Sequence, residues 1–322
     1  MGRIDIANAT RPTRARVGGT DADRARRFRA RMPASAKRSI FIRNEILLPM
    51  RTPPVNPERT AVTDAAAVTA EIKQMARDMG ADAVGVADLD QRFVFTQAGE
   101  LKHKSAVVFA IGMSYDNMAD IGPRSQEEVH RVYHKLDDIG VRLAHQIAAH
   151  GYAASMQPNE GDIPLVAFAQ LAGLGELGKH GSLISPELGS SFRLGAVTTE
   201  MPLLADGPRD LGIDEVCARC NVCTRFCPGD AIKPDKQQVN GVERWHVDTP
   251  ACEPYFHKLY GCKICLMVCP LNSRGIFSGS FKRASKMLVQ AKDAKGMLKL
   301  IEERTDMHYE DFEQAVPADP EP

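Results

Sequence analysis

The chain has 322 residues, 41 basic side chains balanced by 41 acidic ones, and 43% hydrophobic residues. This length and apolar content are sufficient for one large domain or two modest ones. The balanced charge gives no bulk attraction to nucleic acid, and no apolar run reaches the length of a membrane span. We therefore expect neither a nucleic-acid partner nor a membrane span.

Residues 1–60 are basic, with 14 Lys and Arg against 5 Asp and Glu. We expect this segment to be an arm that docks on the body of the protein, with a partner-binding tail as the alternative. Arg26-Arg27-Phe28 is similar to a twin-arginine export signal, but no apolar segment follows it. The sequence therefore favours a cytoplasmic location.

Beyond a proline-rich linker from Pro49 to Pro57, helical and extended patterns alternate along the chain. Apolar residues at helical spacing predict helices over residues 68–79, 129–147 and 165–172. Short apolar runs predict buried strands over residues 83–87, 106–113, 152–156 and 192–198. Gly80 and Gly151 are placed to end the first two helices. Residues 281–301 predict one or two further helices, and the alternation as a whole predicts an α/β (α+β) fold.

A glycine run, Gly173-Leu174-Gly175-Glu176-Leu177-Gly178, matches the dinucleotide fingerprint and, with Lys179, nearly matches a phosphate loop. The fingerprint must leave a strand and open a helix, whereas this run follows a helical pattern. A phosphate loop needs Ser or Thr after its lysine, where this chain has His180. The run is therefore not predicted to bind NAD or ATP. Its glycines would let the backbone approach a bulky, flat group closely.

All eight cysteines lie between residues 217 and 269. Each of two runs ends in Cys-Pro, and the spacing is typical of two 4Fe–4S clusters with crossed ligands, because the proline turns the last thiolate of a run toward the other cluster. The predicted ligands of one cluster, here called set A, are Cys217, Cys220, Cys223 and Cys269. The predicted ligands of the other, set B, are Cys227, Cys252, Cys262 and Cys265. Cys252 stands apart from both runs and is the least regular member.

Zinc and disulfides are the alternatives for these cysteines. Zinc also binds paired Cys-x-x-Cys motifs, but it does not require a third cysteine two residues further on or a proline after both runs. Disulfides are disfavoured because no secretory signal precedes the cysteines and cytosolic thiols stay reduced. Iron–sulfur ligation is the favoured interpretation.

Several motifs in one order resemble a known family. They are Ala172-Gly-Leu-Gly-Glu-Leu-Gly-Lys-His-Gly181, Ile184-Ser-Pro-Glu-Leu-Gly189, Phe192-Arg-Leu194 and Met201-Pro-Leu203. Together they resemble the core of cobalamin-dependent reductive dehalogenases, and the related epoxyqueuosine reductases share much of this layout. The likeness extends over residues 69–274.

The resemblance implies a nitroreductase-like cobalamin-binding core with an inserted or appended ferredoxin-like module that carries two 4Fe–4S clusters. The expected division is a basic arm (1–60), the core (61–210), the double-cluster module (211–275) and a C-terminal helical segment with an acidic tail (276–322). The cobalamin is expected to be base-off, and the Asp-x-His-x-x-Gly motif of cobalamin mutases is absent. The expected cofactor contacts are Gly173, Gly175, Gly178, Lys179, His180, Gly181, Ser182 and Ser185.

The resemblance also implies a tyrosine proton donor and a nearby cation, which map to Tyr133 and Arg193. A core tyrosine and an ion-pairing arginine are the ordinary alternatives. Epoxyqueuosine reductases carry an acidic proton donor just before a Tyr-His-Lys, where this chain has Val132. They also tend to have an aromatic residue at the position of Arg193 and continue into a helical-repeat domain, for which the residues after Arg274 leave little room.

The sequence thus favours a cytoplasmic reductase that removes halogen from a small organohalide by means of cob(I)alamin, with Tyr133 as proton donor. An external low-potential ferredoxin, flavodoxin or flavin reductase would supply electrons. An epoxyqueuosine reductase that acts on tRNA and a cluster-only electron-transfer protein are the alternatives.

Overall fold

The computed structural model describes residues 6–14, 22–269, 271–272 and 308–309, and it confirms the predicted mixed α/β class. The strands are β1 Ala83–Asp88, β2 Ser105–Gly112, β3 Asp120–Ile121, β4 Ala154–Gln157, β5 Glu176–Leu177, β6 Leu183–Ile184, β7 Phe192–Thr199, β8 Gln237–Val239, β9 Val242–Arg244 and β10 His308–Tyr309. The helices are α1 Ala22–Arg31, α2 Ala34–Phe41, α3 Ala65–Asp78, α4 Tyr115–Met118, α5 Pro123–Ala149, α6 Leu165–Leu171, α7 Ile213–Arg219, α8 Val222–Phe226, α9 Thr249–Lys258 and α10 Ile264–Met267. The helices predicted over 281–301 lie outside the described residues.

Four strands form the main sheet in the order β1-β2-β7-β4, and every neighbouring pair is antiparallel. In β2, successive side chains point to opposite faces, as expected for a strand. Val107, Phe109 and Ile111 pack in the core formed with α3 and α5, whereas Val108 and Ala110 pack toward α6. The sheet is therefore buried on both faces, which explains why β2 is a continuous apolar run.

The ends of α3 and α5 lie beside residues that typically begin or end helices. The Asp64 carboxylate accepts hydrogen bonds from the Ala66 and Ala67 amides at 2.9 and 3.0 Å, which caps the start of α3. Gly80 follows this helix with φ of +102°, a conformation that favours glycine. Gly151 follows α5 with φ of +83°. The predicted strand at 152–156 begins later, at Ala154, because its backbone pairing with β7 starts there, opposite Thr199.

The described part of the basic segment packs on the body. Arg11 donates to the Val94 and Phe95 carbonyls at 3.1 and 2.9 Å, and the Thr10 amide donates to the Asn240 carbonyl at 2.9 Å. Residues 6–14 therefore connect the core to the β8–β9 hairpin. Helix α2 contacts α5, and a single π-helical turn, Ile42–Leu47, follows it.

The cysteine-bearing helices share the core beside α5. Phe226, Leu259, Ile264 and Val268 are fully buried in the same apolar cluster as α5 and β2. No helix among the described residues combines the length and the apolar content that crossing a bilayer requires.

Candidate active site and cofactor sites

Tyr133 and Arg193 meet at the end of the sheet where β2 ends and β7 begins. Arg193 is the second residue of β7 and pairs in register with Ile111, so it lies on the α5 side of the sheet. Its guanidinium carbon is 5.4 Å from the centroid of the Tyr133 ring. The Tyr133 hydroxyl donates to Asn159 Oδ1 at 3.1 Å, just beyond the end of β4. The structure thus brings the two predicted catalytic residues together.

A second guanidinium, which the sequence analysis did not identify, lies over the same ring. Arg43, in the π-helical turn of the basic segment, has its guanidinium carbon 4.9 Å from the Tyr133 centroid. Its Nε donates to Asp137 Oδ2 at 2.6 Å. Burial raises the pKa of Asp137, and the Arg43 charge opposes this rise. Two cations therefore lie against the phenol ring, and one of them, Arg43, is paired with a carboxylate.

Gln126 and His130 add polar atoms that have no partner in the part of the chain that the structure describes. Both amide atoms of Gln126 and the His130 Nδ1 atom are buried without a hydrogen bond, as is the Arg193 Nε atom. Burial, followed by the charges of Arg43, Arg193 and Lys263, lowers the His130 pKa to about 4. His130 is therefore neutral at pH 7. The spacing of residues 126, 130 and 133 on one helical face could have indicated this cluster from the sequence.

Val132 is fully buried and belongs to the core cluster rather than to this polar group. Arg131, one residue earlier, pairs with Glu128 at 2.8 Å. The residue before Tyr133 is therefore an apolar core residue, and its side chain has no proton to donate.

The four thiols of set A line one small cavity together with Lys179, His180, Val216 and Leu271. Burial raises the pKa of Cys223 to about 12, and the charges of the other three set A cysteines add to this rise. The Lys179 amide donates to Cys217 Sγ at 3.4 Å. Cys269, from the second run, thus joins three cysteines of the first run.

The four thiols of set B form the second group. Burial raises the pKa of Cys262 to about 12, and Cys252 and Cys227 contribute to the rise. Burial also raises the pKa of Cys265, with Cys262, Cys223, Cys227 and Cys252 as further causes. One of these charges, that of Cys223, belongs to set A, so the two groups of thiols are neighbours.

All eight cysteines are free thiols, so the described chain contains no disulfide between them. Among the described residues, no three Cys, His, Asp or Glu side chains converge closely enough for one bound ion. A four-iron cluster keeps its thiolates farther apart than a single ion does, and four thiols around one cavity are a suitable donor set for it. The assignment of each cysteine as a ligand remains a prediction.

The glycine run follows α6 and forms the β5–β6 hairpin, so neither nucleotide-binding context is present. The glycines are in close contact with the chain itself. A Cβ atom on Gly175 would lie 2.2 Å from the Ile184 carbonyl oxygen, and one on Gly178 would lie 2.7 Å from Ile184 Cδ1. Gly173 and Gly181 have φ of +73° and +75°. Local packing therefore accounts for these glycines without a ligand.

The remaining predicted cofactor contacts lie in or beside this hairpin. Lys179 and His180 line the set A cavity. The Ser182 amide donates to His180 Nδ1 at 3.2 Å, and Ser185 Oγ donates to Glu187 Oε2 at 2.8 Å. Contact of these residues with a corrinoid remains a prediction.

A cavity of about 510 Å³ lies between α6, the β8–β9 hairpin and residues 6–14. Its wall is mostly apolar and includes Val166, Leu177 and Gly181, with Arg209 and Arg244 among the polar lining residues. Cofactor sites are typically mostly apolar clefts of about 300–1,000 Å³. The size and lining therefore fit part of a large, amide-bearing cofactor, and the glycine run borders the space. Tyr133 and Arg193 are not among the residues that line it.

Sequence comparison finds reductive dehalogenases. The chain is 29% identical over 263 residues to the tetrachloroethene reductive dehalogenase of Sulfurospirillum multivorans, covering 67% of this chain and 52% of that protein. It is 27% identical over 254 residues to the epoxyqueuosine reductase of Lactococcus garvieae, covering 65% of this chain and 70% of that protein. The chain thus spans about half the length of that dehalogenase. No protein-family model matches the chain.

Comparison with solved structures finds the same two kinds of enzyme, reductive dehalogenases and epoxyqueuosine reductases, as similar folds. The catabolic reductive dehalogenase NpRdhA, solved in complex with 3-bromo-4-hydroxybenzoic acid, has a TM-score of 0.74 and 22% identity, covering 93% of this chain and 46% of that one. An epoxyqueuosine reductase from Streptococcus thermophilus has a TM-score of 0.50 and 21% identity, covering 65% of this chain and 67% of that one. Both kinds of homologue are oxidoreductases. The chain is therefore a homologue of the reductive dehalogenases, with the epoxyqueuosine reductases as a related family.

Proposed function

We propose that this protein is a cobalamin- and iron–sulfur-dependent reductase that replaces the halogen of a small organohalide with hydrogen. The reaction consumes two electrons and one proton, breaks the carbon–halogen bond, forms a carbon–hydrogen bond and releases halide. An external low-potential ferredoxin, flavodoxin or flavin reductase supplies the electrons. Bound cobalamin, in the base-off state, supplies the electron-rich cobalt that this chemistry needs.

Tyr133 delivers the proton in this proposal. A nearby cation favours the phenolate that remains after the proton has left. The substrate carbon takes the proton from the hydroxyl that donates to Asn159 in the structure. Arg193 stabilises the phenolate, and Arg43 holds the ring from the basic segment.

The position of Arg193 over the Tyr133 ring is the observation that carries the proposal. Tyrosine alone on an amphipathic helix is an ordinary core residue. Here its hydroxyl donates to Asn159 just beyond the end of β4, two cations contact its ring, and neighbouring buried polar atoms have no partner within the described residues. Such a cluster is costly to bury unless a ligand or reacting group satisfies it.

Sets A and B hold the two 4Fe–4S clusters in this proposal, and the hairpin and the large cavity contact the corrinoid. The arrangement of the cysteines supports this assignment, because each group of thiols combines members of both sequence runs.

The experiment is an anaerobic assay of protein reconstituted with iron, sulfide and cobalamin. Reduced methyl viologen serves as electron donor, and a panel of small bromo- and chlorophenols, halobenzoates and chloroethenes serves as substrates. Release of halide, with the dehalogenated product in equal amount, is the expected result. Absence of halide release across the panel from protein that contains all cofactors would overturn the proposal.

The epoxyqueuosine reductase activity is the second candidate, because the chain covers 70% of one such enzyme. The buried Val132 argues against it, since this position would carry the acidic donor. Queuosine formation from an epoxyqueuosine-containing tRNA stem–loop in the same assay would favour this candidate. If the protein takes up clusters but no cobalamin, the cluster-only electron carrier is favoured instead.

A further inference from the structure

Lys179 has a second feature besides its place in the hairpin: its charged side chain is buried beside set A. The residue is 1% exposed and lines the cavity that Cys217, Cys220 and Cys223 share. Its Nζ donates to Asn221 Oδ1 at 2.7 Å, and it lies 4.7 Å from the centroid of the Trp245 ring. Asn221 stands between two of these cysteines in the sequence. The ammonium is therefore fixed next to the thiols by one amide and one indole.

No carboxylate pairs with this ammonium in the described part of the chain. The nearby Asp214 carboxylate is already engaged, because it accepts from Trp245 Nε1 at 2.8 Å and from Lys236 Nζ at 2.7 Å. Lys236 also lies over the Trp245 ring, at 5.3 Å. Lys236 and Asp214 offset each other, which leaves the Lys179 charge uncompensated.

The other groups on this cavity are neutral or negative. The Ser182 amide donates to His180 Nδ1 at 3.2 Å, so this ring nitrogen carries no proton and the imidazole is uncharged. The Lys179 amide donates to Cys217 Sγ at 3.4 Å, which places the lysine directly beside this thiol. Among the described residues that line the cavity, Lys179 is the one cation.

We infer that Lys179 is a positioning residue that sets the reduction potential of the cluster held by set A. This inference rests on the proposed function, because it requires that set A holds a cluster. A cluster that accepts one electron gains one negative charge. A fixed cation in a poorly solvated site stabilises that charge, and local charge and hydrogen bonds to sulfur are known determinants of cluster potentials. Lys179 therefore raises the potential of this cluster and leaves that of set B nearly unchanged.

The test is an anaerobic redox titration with dithionite and mediators, followed by electron spin resonance. The variant Lys179→Met removes the charge and keeps the chain length, while Lys179→Gln removes the charge and keeps a donor for Asn221. Both should lower the set A potential so that the ratio of reduced to oxidised cluster changes at least tenfold at a fixed potential, which corresponds to 59 mV for one electron. The variant Lys179→Arg keeps the charge and should stay near the native potential.

The double variant Lys236→Met/Asp214→Asn is the matched control, since it removes the ion pair beside the same indole ring and leaves the net charge unchanged. It should shift the potential much less than Lys179→Met does. An equal shift would show that the loss of side-chain packing on this face, and not the loss of the Lys179 charge, changes the potential, and it would overturn the inference. An unchanged potential in Lys179→Met and Lys179→Gln would also overturn it. So would loss of the set A cluster in all three Lys179 variants, because Lys179 would then be structural. Native protein that takes up no cluster would refute the proposed function itself.

Discussion

The Arg193 guanidinium carbon lies 5.4 Å from the centre of the Tyr133 ring, and the two residues come from different elements, β7 and α5. A second pair of the same kind exists outside the candidate site. Arg59 lies 4.7 Å from the ring of Tyr152, whose hydroxyl donates to the Thr60 carbonyl. An arginine over a tyrosine is therefore not sufficient for catalysis. The second arginine over its ring and the buried polar neighbours that have no partner among the described residues distinguish the Tyr133 pair.

The variant Tyr133→Phe should lower turnover by roughly 10²–10⁴, the range for a lost general acid, because it removes the proton and keeps the ring. Measured turnover on the best substrate, together with corrinoid and cluster content, checks this prediction. Tyr152→Phe is the control and should retain turnover. Full activity of Tyr133→Phe would refute the proton-donor role, and loss of folding would support a core role for the tyrosine.

Reconstituted protein should contain about eight iron and eight sulfide per chain, because the spacing of its cysteines predicts two four-iron clusters. The variant Cys252→Ala should remove the spectral signal of set B alone, and Cys217→Ala should remove that of set A. Iron analysis and spin resonance of each variant measure this. If either variant damages both signals equally, the assignment of cysteines to two sets is wrong. A zinc-dominated metal content would exclude both clusters.

Cobalamin should bind to the apo-protein with its dimethylbenzimidazole displaced, and the variant Ala167→Phe should weaken this binding at least tenfold. Ala167 lines the large cavity on α6, so a phenyl ring there takes space from the cofactor. Equilibrium titration by absorption measures the affinity. Ala70→Phe, at an exposed position of α3, is the control. Unchanged affinity of Ala167→Phe would place the corrinoid outside this cavity.

Spin resonance of cobalt(II) in the complex tests the base-off state separately. Nitrogen superhyperfine splitting assigned to the cofactor's base or to a histidine would contradict it. Gly175→Val is less informative than Ala167→Phe. A side chain at this position would clash with the Ile184 carbonyl and would disturb the hairpin whether or not a corrinoid binds.

Acidification should destabilise the protein partly through His130. Its pKa is about 4 in the folded protein, against an ordinary value of 6.5. Between these two values the unfolded chain binds more protons, so stability falls as the pH decreases from 6.5 toward 4. Because of His130, the free energy of unfolding should be about 1 kcal/mol lower at pH 5.5 than at pH 7. The facing charges of Arg43, Arg193 and Lys263 all disfavour protonation.

Thermal unfolding of the native protein and of His130→Gln at pH 7 and pH 5.5 measures this effect. The variant should lose less stability on acidification than the native protein. Equal losses in the two proteins would show that His130 does not contribute. Tyr133 is near His130, so activity is measured alongside stability.

The sequence by itself determined most of the helices and strands and the residue types that can carry chemistry. Short apolar runs predicted β1, β2 and β7, and helical spacing predicted α3, α5 and α6, because these patterns are local to each element. The spacing of the cysteines divided them into two sets. The motifs around the glycine run identified the relationship to dehalogenases, which the comparisons support.

Only the tertiary structure decided which side chains meet. Arg43 reaches Tyr133 because α2 and its π-helical turn pack on α5, and no local pattern encodes that contact. The glycines of the run pack against Ile184, because the hairpin folds back on itself. Lys179 follows the same run in the sequence, yet its ammonium lies beside the thiols of set A, since the hairpin and the cysteine-bearing helices pack together. Contacts between distant segments depend on how whole elements pack, and the sequence pattern of one element does not specify its neighbour.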